Sequence, residues 1–136
     1  MNIIIVQSTG FQEIESLLKR PEFKDLLKKV TNIFLTNSFE HALLNIPKKG
    51  KVFVITSNIF HDPMTKHRDL KNTIPNSAKN ANTLAEGIKA INNRSVVYVY
   101  SDYLPHTDKY IDGLMKKTDD ISRDLKVLLK IATKVF

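Results

Sequence analysis

Asn2–Val6 (NIIIV) forms the first predicted strand of the chain, and its sequence decides the fold class. The run is short, continuously apolar and rich in β-branched residues. A run of this kind is typical of a strand covered on both faces, because a strand with one solvent face alternates apolar and polar residues. Val52–Ile55 (VFVI) repeats the pattern. Two such strands predict a sheet with helices on both of its sides.

Strand-like and helix-like stretches alternate along the rest of the chain. Further strands are predicted at Asn32–Thr36, Ser95–Tyr100 and Gly113–Lys116. The resulting order, β-α-β-α-β-α-β-(α)-β-α, predicts a single α/β domain over residues 1–136. Its five-stranded parallel sheet is expected to have the flavodoxin-like strand order 2-1-3-4-5, with helices on both faces. The helix between the fourth and fifth strands is predicted to be shortened, because Pro105 interrupts that connection.

Capping residues predict where the helices begin. Thr9 and Gln12 have the spacing of a capping box for the first helix. Ser38 is predicted to cap the second helix and Thr118 the last one, since hydroxyl side chains accept hydrogen bonds from the first-turn amides. The third helix is predicted over Ser77–Asn92, after a long polar stretch that follows the third strand.

Composition excludes several classes of protein. The chain has 136 residues and no cysteine, which excludes disulfides, thiolate metal sites and cysteine nucleophiles. No apolar run approaches the roughly 20 residues that span a bilayer, and the amino terminus lacks the basic segment of a secretion signal. We therefore expect a cytoplasmic protein that makes no membrane contact. The net charge of +7 leaves an acidic partner open, including nucleic acid.

The carboxyl-terminal part contains the most specific motif. Tyr110–Thr118 (YIDGLMKKT) holds a short strand that opens at a glycine and ends in lysines, and Asn82–Ser101 holds a helix and a strand. In these features and in element order, nearly the whole chain resembles the receiver domain of bacterial response regulators. The resemblance implies that Ser101 and Lys117 occupy the family's hydroxyl and lysine positions. Thr118 stands where the family carries proline.

The resemblance also locates the acids on which receiver chemistry depends. In the family, two acids after the first strand hold magnesium, and an acid ending the third strand accepts the phosphoryl group. This chain has Gln7 and Ser8 at the first two positions, and Thr56 at the third, or Ser57 if that strand is one residue longer. Magnesium prefers hard oxygen ligands, and an acyl phosphate requires a carboxylate. The resemblance therefore implies a degenerate receiver, or pseudo-receiver.

The expected function is a non-enzymatic signalling or regulatory module of the kind found in two-component systems. It would bind another protein without being switched by phosphorylation, and a homodimer is left open. Alternate residues of a strand share one face, so the tyrosines of the fourth strand would form a protein-binding patch if the shortened helix exposes them. Six residues are predicted for the contact surface: Tyr98, Tyr100, Tyr103, Leu104, Lys66 and Arg68.

Two alternatives follow from the charge and from the strand ends. A nucleic-acid-associated regulatory protein would use the positive charge, and its binding would weaken steeply with salt. A small-ligand or anion sensor would use Gln7, Thr56, Ser101 and Lys117, because ligands of this architecture bind at the carboxyl ends of the strands. Without neighbouring acids, Lys117 would attract an anion or form hydrogen bonds with Gln7 and Thr56.

Cofactors and metals are not predicted. The long polar stretch contains His61, Asp62, His67 and Asp69, which are residue types that bind zinc, but their spacing matches no zinc motif. No residue cluster indicates a catalytic base or nucleophile, so no catalytic residue is assigned.

Overall fold

A computed structural model describes residues 1–60 and 79–136 of the chain. Within these ranges it confirms the predicted α/β architecture, with five strands and four α-helices. Their bounds are β1 (Asn2–Val6), α1 (Phe11–Leu18), β2 (Asn32–Thr36), α2 (Phe39–Leu44), β3 (Val52–Thr56), α3 (Ala81–Ile91), β4 (Val96–Ser101), β5 (Gly113–Lys116) and α4 (Ile121–Val135).

All five strands form one parallel sheet in the predicted order, β2-β1-β3-β4-β5. The amino-terminal strand is therefore internal, and Ile4 of β1 lies opposite Phe34 of β2 and Val54 of β3. The strand bounds differ from the prediction by one residue at β3 and β4. Both strands extend to the polar residues Thr56 and Ser101.

Side-chain alternation along the central strands builds one core on each side of the sheet. Ile4 and Val6 face α2 and α3, whereas Ile3 and Ile5 face α1 and α4. Every residue of β3 is buried, which explains its continuous apolar sequence. Burying one such side chain contributes about 1.5–3 kcal/mol, so these two cores supply most of the driving force for folding.

Two of the predicted caps differ from the structure. The N-cap residue of α1 is Gly10, at φ 75° and without a side-chain cap, so the Thr9–Gln12 capping box is wrong. Glycine reaches this left-handed conformation without the steric cost of a side chain, and the chain turns into the helix there. The N-cap of α4 is Asp120 and not Thr118, because the Asp120 carboxylate accepts the Arg123 N–H at 3.0 Å.

The other two helix starts are also defined by hydrogen bonds. The predicted Ser38 cap is confirmed, since its hydroxyl accepts the His41 N–H at 3.2 Å. Helix α3 begins later than predicted, at Ala81, because Asn80 and Thr83 form a reciprocal capping box. No helix of the described ranges is long and apolar enough to cross a membrane.

The connection between β4 and β5, residues 102–112, contains no helix, so the predicted shortening is complete. Polar contacts hold the last residue of this connection, Asp112, in place. The Lys89 ammonium lies 2.7 Å from the Asp112 carboxylate, and the same carboxylate oxygen accepts the Val97 N–H at 2.7 Å. The Lys89 ammonium also donates to the Ser95 carbonyl. These bonds fix the start of β5 against β4 where a packed helix would otherwise do so.

Gly113→Ala is expected to destabilise the protein by about 1–3 kcal/mol, the usual cost of overpacking a core. A β-carbon at position 113 would overlap the ring of Tyr98, which lies opposite it in the β4–β5 pair. Chemical denaturation followed by circular dichroism measures the change. Gly87→Ala is the control, because its methyl group meets only the flexible end of Leu43. Equal effects of the two substitutions would contradict this account.

Candidate functional site

The parallel sheet brings the predicted site positions to one edge. Gln7 directly follows β1, Thr56 ends β3, Ser101 ends β4 and Lys117 follows β5. Because the strands are parallel and in register, all four residues lie at the carboxyl edge of the sheet. The edge carries an amide, two hydroxyls and an ammonium group, and none of these four side chains is acidic.

Gln7 is the most unusual residue of this edge. Its side chain is completely buried, and among residues 1–60 and 79–136 neither its amide oxygen nor its amide nitrogen has a hydrogen-bond partner. Its backbone N–H donates to the Thr36 carbonyl at 3.0 Å, which continues the β1–β2 pairing. A buried polar group without a partner costs about 1–3 kcal/mol. Gln7 therefore destabilises the fold at this position unless a further group pairs with it.

The hydroxyls next to Gln7 are occupied by local backbone bonds. Thr56 is buried and donates its hydroxyl to the Ser57 carbonyl at 3.0 Å. Ser57 is also buried, and its hydroxyl oxygen accepts the Ser8 N–H at 2.9 Å. These bonds tie the turn after β1 to the turn after β3.

Lys117 and Ser101 meet through the main chain, where the Lys117 N–H donates to the Ser101 carbonyl at 3.0 Å. The Lys117 ammonium lies 5.4 Å from the centre of the Tyr100 ring, a cation–π geometry. Of the two alternatives for Lys117, the hydrogen bond to Gln7 is absent, because the Gln7 amide has no partner within the described residues. The structure thus brings the four positions to one edge without joining their side chains into one polar cluster.

Sequence reasoning missed a buried cluster around Asp124, which is only 1% exposed. Its carboxylate accepts the Tyr100 hydroxyl at 2.6 Å, the Thr118 hydroxyl at 2.7 Å and the Thr118 N–H at 2.8 Å. The signal in the sequence was an aspartate inside the inward apolar stripe of the last helix. The cluster joins β4, the turn after β5 and the first turn of α4.

The charge of this cluster is fixed by burial and hydrogen bonding. Burial acts to raise the pKa of Asp124, but the hydrogen bonds from Tyr100 and Thr118 outweigh it and hold that pKa below its ordinary value. Burial and the hydrogen bond to Asp124 raise the pKa of Tyr100 far above its ordinary value. Asp124 is therefore a carboxylate and Tyr100 a neutral donor at physiological pH.

The four residues predicted as a contact surface around β4 separate into two groups. Tyr100 is 1% exposed, so its assignment to the surface is wrong: its ring packs in the α1–α4 core and its hydroxyl is bonded. Tyr98 shares that face, as predicted, and is partly buried with its ring centre 5.3 Å from that of Phe53. Tyr103 and Leu104 are exposed, at 82% and 40%.

Hydrogen bonds from α3 hold the segment that carries Tyr103 and Leu104. The Asn82 amide donates to the Asp108 carboxylate at 2.9 Å and to the His106 carbonyl at 3.1 Å. The hydrogen bond from Asn82 lowers the pKa of Asp108. The loop that carries Tyr103 and Leu104 is therefore anchored to α3.

Several predicted residues lie outside the described residues. These are the other two members of the contact surface and the four residues with zinc-binding side chains: Lys66, Arg68, His61, Asp62, His67 and Asp69.

Comparisons of the chain with protein-family models, with curated proteins and with solved structures find no match. The fold defines a class, a flavodoxin-like α/β domain, and four positions at the carboxyl edge of its sheet carry Gln7, Thr56, Ser101 and Lys117.

Tyr100→Phe is expected to lower the free energy of unfolding by about 1.5–3 kcal/mol at pH 7, because it removes a hydrogen bond to a buried carboxylate. The pKa of Asp124 is lower in the folded state than the unfolded value of about 3.9. Its contribution is therefore present above about pH 4 and is lost as the pH falls through the folded pKa. The difference between variant and parent should shrink in acid.

Urea denaturation between neutral and acidic pH measures this dependence. Tyr103→Phe is the matched control, because that side chain is 82% exposed and should leave stability unchanged. A loss for Tyr100→Phe that stays the same from pH 7 down to the lowest pH at which the parent is folded would show that the Asp124 charge is not involved.

Proposed function

We propose that this protein is a non-enzymatic regulatory domain that docks another protein and is not switched by phosphorylation. The observation that carries the proposal is the exposed pair Tyr103 and Leu104 on residues 102–112, which we call the β4–β5 segment. A tyrosine that is 82% exposed leaves a large apolar ring in water. Aromatic residues of this kind are enriched in protein interfaces.

The residues at three positions of the carboxyl edge support the proposal that phosphorylation does not switch the protein. Gln7, Ser8 and Thr56 stand at the positions where the receiver resemblance implies acids, and Thr56 is buried with its hydroxyl bonded to the backbone. A threonine hydroxyl cannot form an acyl phosphate, and an amide with two hydroxyls is a poor magnesium site. The resemblance to receivers thus supports a signalling role that has no phosphoryl-transfer step.

The β4–β5 segment is anchored by hydrogen bonds, and this order favours docking. Asn82 and Lys89 hold the segment to α3 through Asp108 and Asp112. The Asp112 carboxylate also accepts the Val97 N–H of β4. A loop that is ordered before binding loses less conformational entropy when it binds. Tyr103 and Leu104 are therefore presented at a low entropic cost.

The double variant Tyr103→Ser, Leu104→Ser is expected to lose its partner while keeping its fold. A photo-reactive amino acid at position 103 identifies the cross-linked protein, and isothermal calorimetry with the purified partner measures affinity. We expect at least a tenfold loss for the double variant, since aromatic interface anchors contribute about 2 kcal/mol or more. Sedimentation velocity shows whether the partner is a second copy of this chain.

Leu44→Ser is the control, because Leu44 is 80% exposed on α2, away from the segment. Magnesium with beryllofluoride, a phosphoryl mimic, should change neither the affinity nor the backbone amide spectrum. Equal losses for the control and the double variant would contradict the docking surface. A saturable spectral change at Gln7, Thr56 and Ser101 would contradict independence from phosphorylation.

We infer a second candidate, a small-ligand or anion sensor, because of Gln7 alone. Its buried amide offers a donor and an acceptor that nothing in the described residues uses. It lies at the carboxyl edge, where ligands of this architecture bind. A ligand that pairs with the amide would also offset the cost of burying it.

Gln7→Met separates this candidate from a structural role. Without ligand the variant should be more stable by about 1–3 kcal/mol, because methionine fills the space without an unpaired polar group. Inorganic phosphate, sulfate and acetate are the probes in a thermal unfolding series, and one that binds the site should raise the melting temperature of the parent but not of Gln7→Met. Exposed Gln12→Met is the control. A variant less stable than the parent would refute the unpaired amide.

A further inference from the structure

The outward side of α4 carries only cations and apolar residues. Arg123, Lys130 and Lys134 are exposed, as are Val127 (40%) and Val135 (44%). Residues 123, 127, 130 and 134 are spaced by four, three and four, so they form one stripe along the helix. We call these five residues the α4 basic face. Asp124 is the only acid in the helix, and it is buried on the opposite side.

The charges of this face have few acidic neighbours, although Arg123 attracts the Asp124 carboxylate without forming an ion pair with it. Lys126, at the margin, pairs with Glu22 at 3.1 Å. In the described part of the chain, Arg123, Lys130 and Lys134 form no ion pair. Lysines near a helix carboxyl terminus do stabilise the helix dipole, which accounts for part of the pattern. The dipole does not account for Val127, which is exposed between Arg123 and Lys130.

The combination of cations and valines limits the class of partner that can bind this face. A second copy would place cations against cations, which is repulsive. Nucleic acid uses the cations but gains little from valine, because nonspecific affinity comes from phosphate contacts. A membrane-surface helix points its main apolar stripe at lipid, whereas the main stripe of α4 is buried in the core. An acidic peptide segment with apolar side chains satisfies both the charges and the valines.

We propose that the α4 basic face binds an acidic amphipathic segment of a partner protein. The cations set the orientation and the rate of encounter, and Val127 with Val135 supplies the apolar contact. This surface belongs to α4 and is separate from the Tyr103–Leu104 pair, so either proposal can fail without the other.

The test is a backbone amide NMR titration of the full chain with a synthetic helical peptide of glutamate and leucine at i, i+4 spacing. Shifts are expected at the amides of α4. Lys130→Glu with Lys134→Glu should weaken binding about tenfold or more, since it reverses two charges at the face. Lys48→Glu with Lys49→Glu makes the same change of net charge in an exposed turn and should have little effect.

Two further experiments test the contribution of the apolar contact and the alternative ligands. Val127→Ser should weaken the amphipathic peptide several-fold, whereas a scrambled peptide of the same composition should bind weakly to parent and variant alike. Circular dichroism verifies that each variant is folded. Equal weakening by the two lysine pairs would overturn the proposal, as would equal affinity for the scrambled peptide. Tighter binding of duplex DNA or of phosphatidylserine vesicles at α4 would also overturn it.

Discussion

Burial of β1 and β3 on both faces is the constraint on which the structure depends. Ile3 and Ile5 need one helical layer, and Ile4 and Val6 need another. A parallel sheet with helices on both sides is the arrangement that covers both sets. It also aligns the carboxyl ends of all five strands, so the position of the candidate site follows from the core and not from the site residues themselves.

Two buried polar groups at the carboxyl edge differ in their hydrogen bonding. On the α1–α4 side, the Asp124 carboxylate collects three donors and is fully bonded. After β1, the Gln7 amide has no partner in the part of the chain that the structure describes. One buried polar group therefore stabilises the junction between sheet and helix, while another of comparable burial destabilises it.

Sequence periodicity was enough to predict the strands, because continuous apolar runs such as NIIIV and VFVI are typical of strands buried on both faces. The strand order followed from the alternation of strands and helices, which is typical of the flavodoxin-like arrangement. Helix starts were predicted less well. Thr9 and Thr118 have suitable side chains, but Gly10 turned the chain by its backbone and Asp120 lay closer to the first turn of α4. A pattern of capping residue types cannot rank neighbouring candidates, since the choice depends on backbone dihedrals.

The site was predictable in position but not in detail. Strand ends located Gln7, Thr56, Ser101 and Lys117, whereas their partners depend on side-chain directions that a sequence does not specify. Tyr100 illustrates this: alternation placed it correctly on the face of Tyr98, yet only the distance to Asp124 shows that it is buried and bonded.

The pinned connection between β4 and β5 has a consequence for how the protein changes over evolutionary time. Lys89 and Asp112 secure β5, and Asn82 with Asp108 secures the middle of the connection. Residues 102–107 therefore contribute little to either core, and substitutions or insertions there carry little thermodynamic penalty. The chain can therefore present different surface residues in this short stretch while both cores keep their packing.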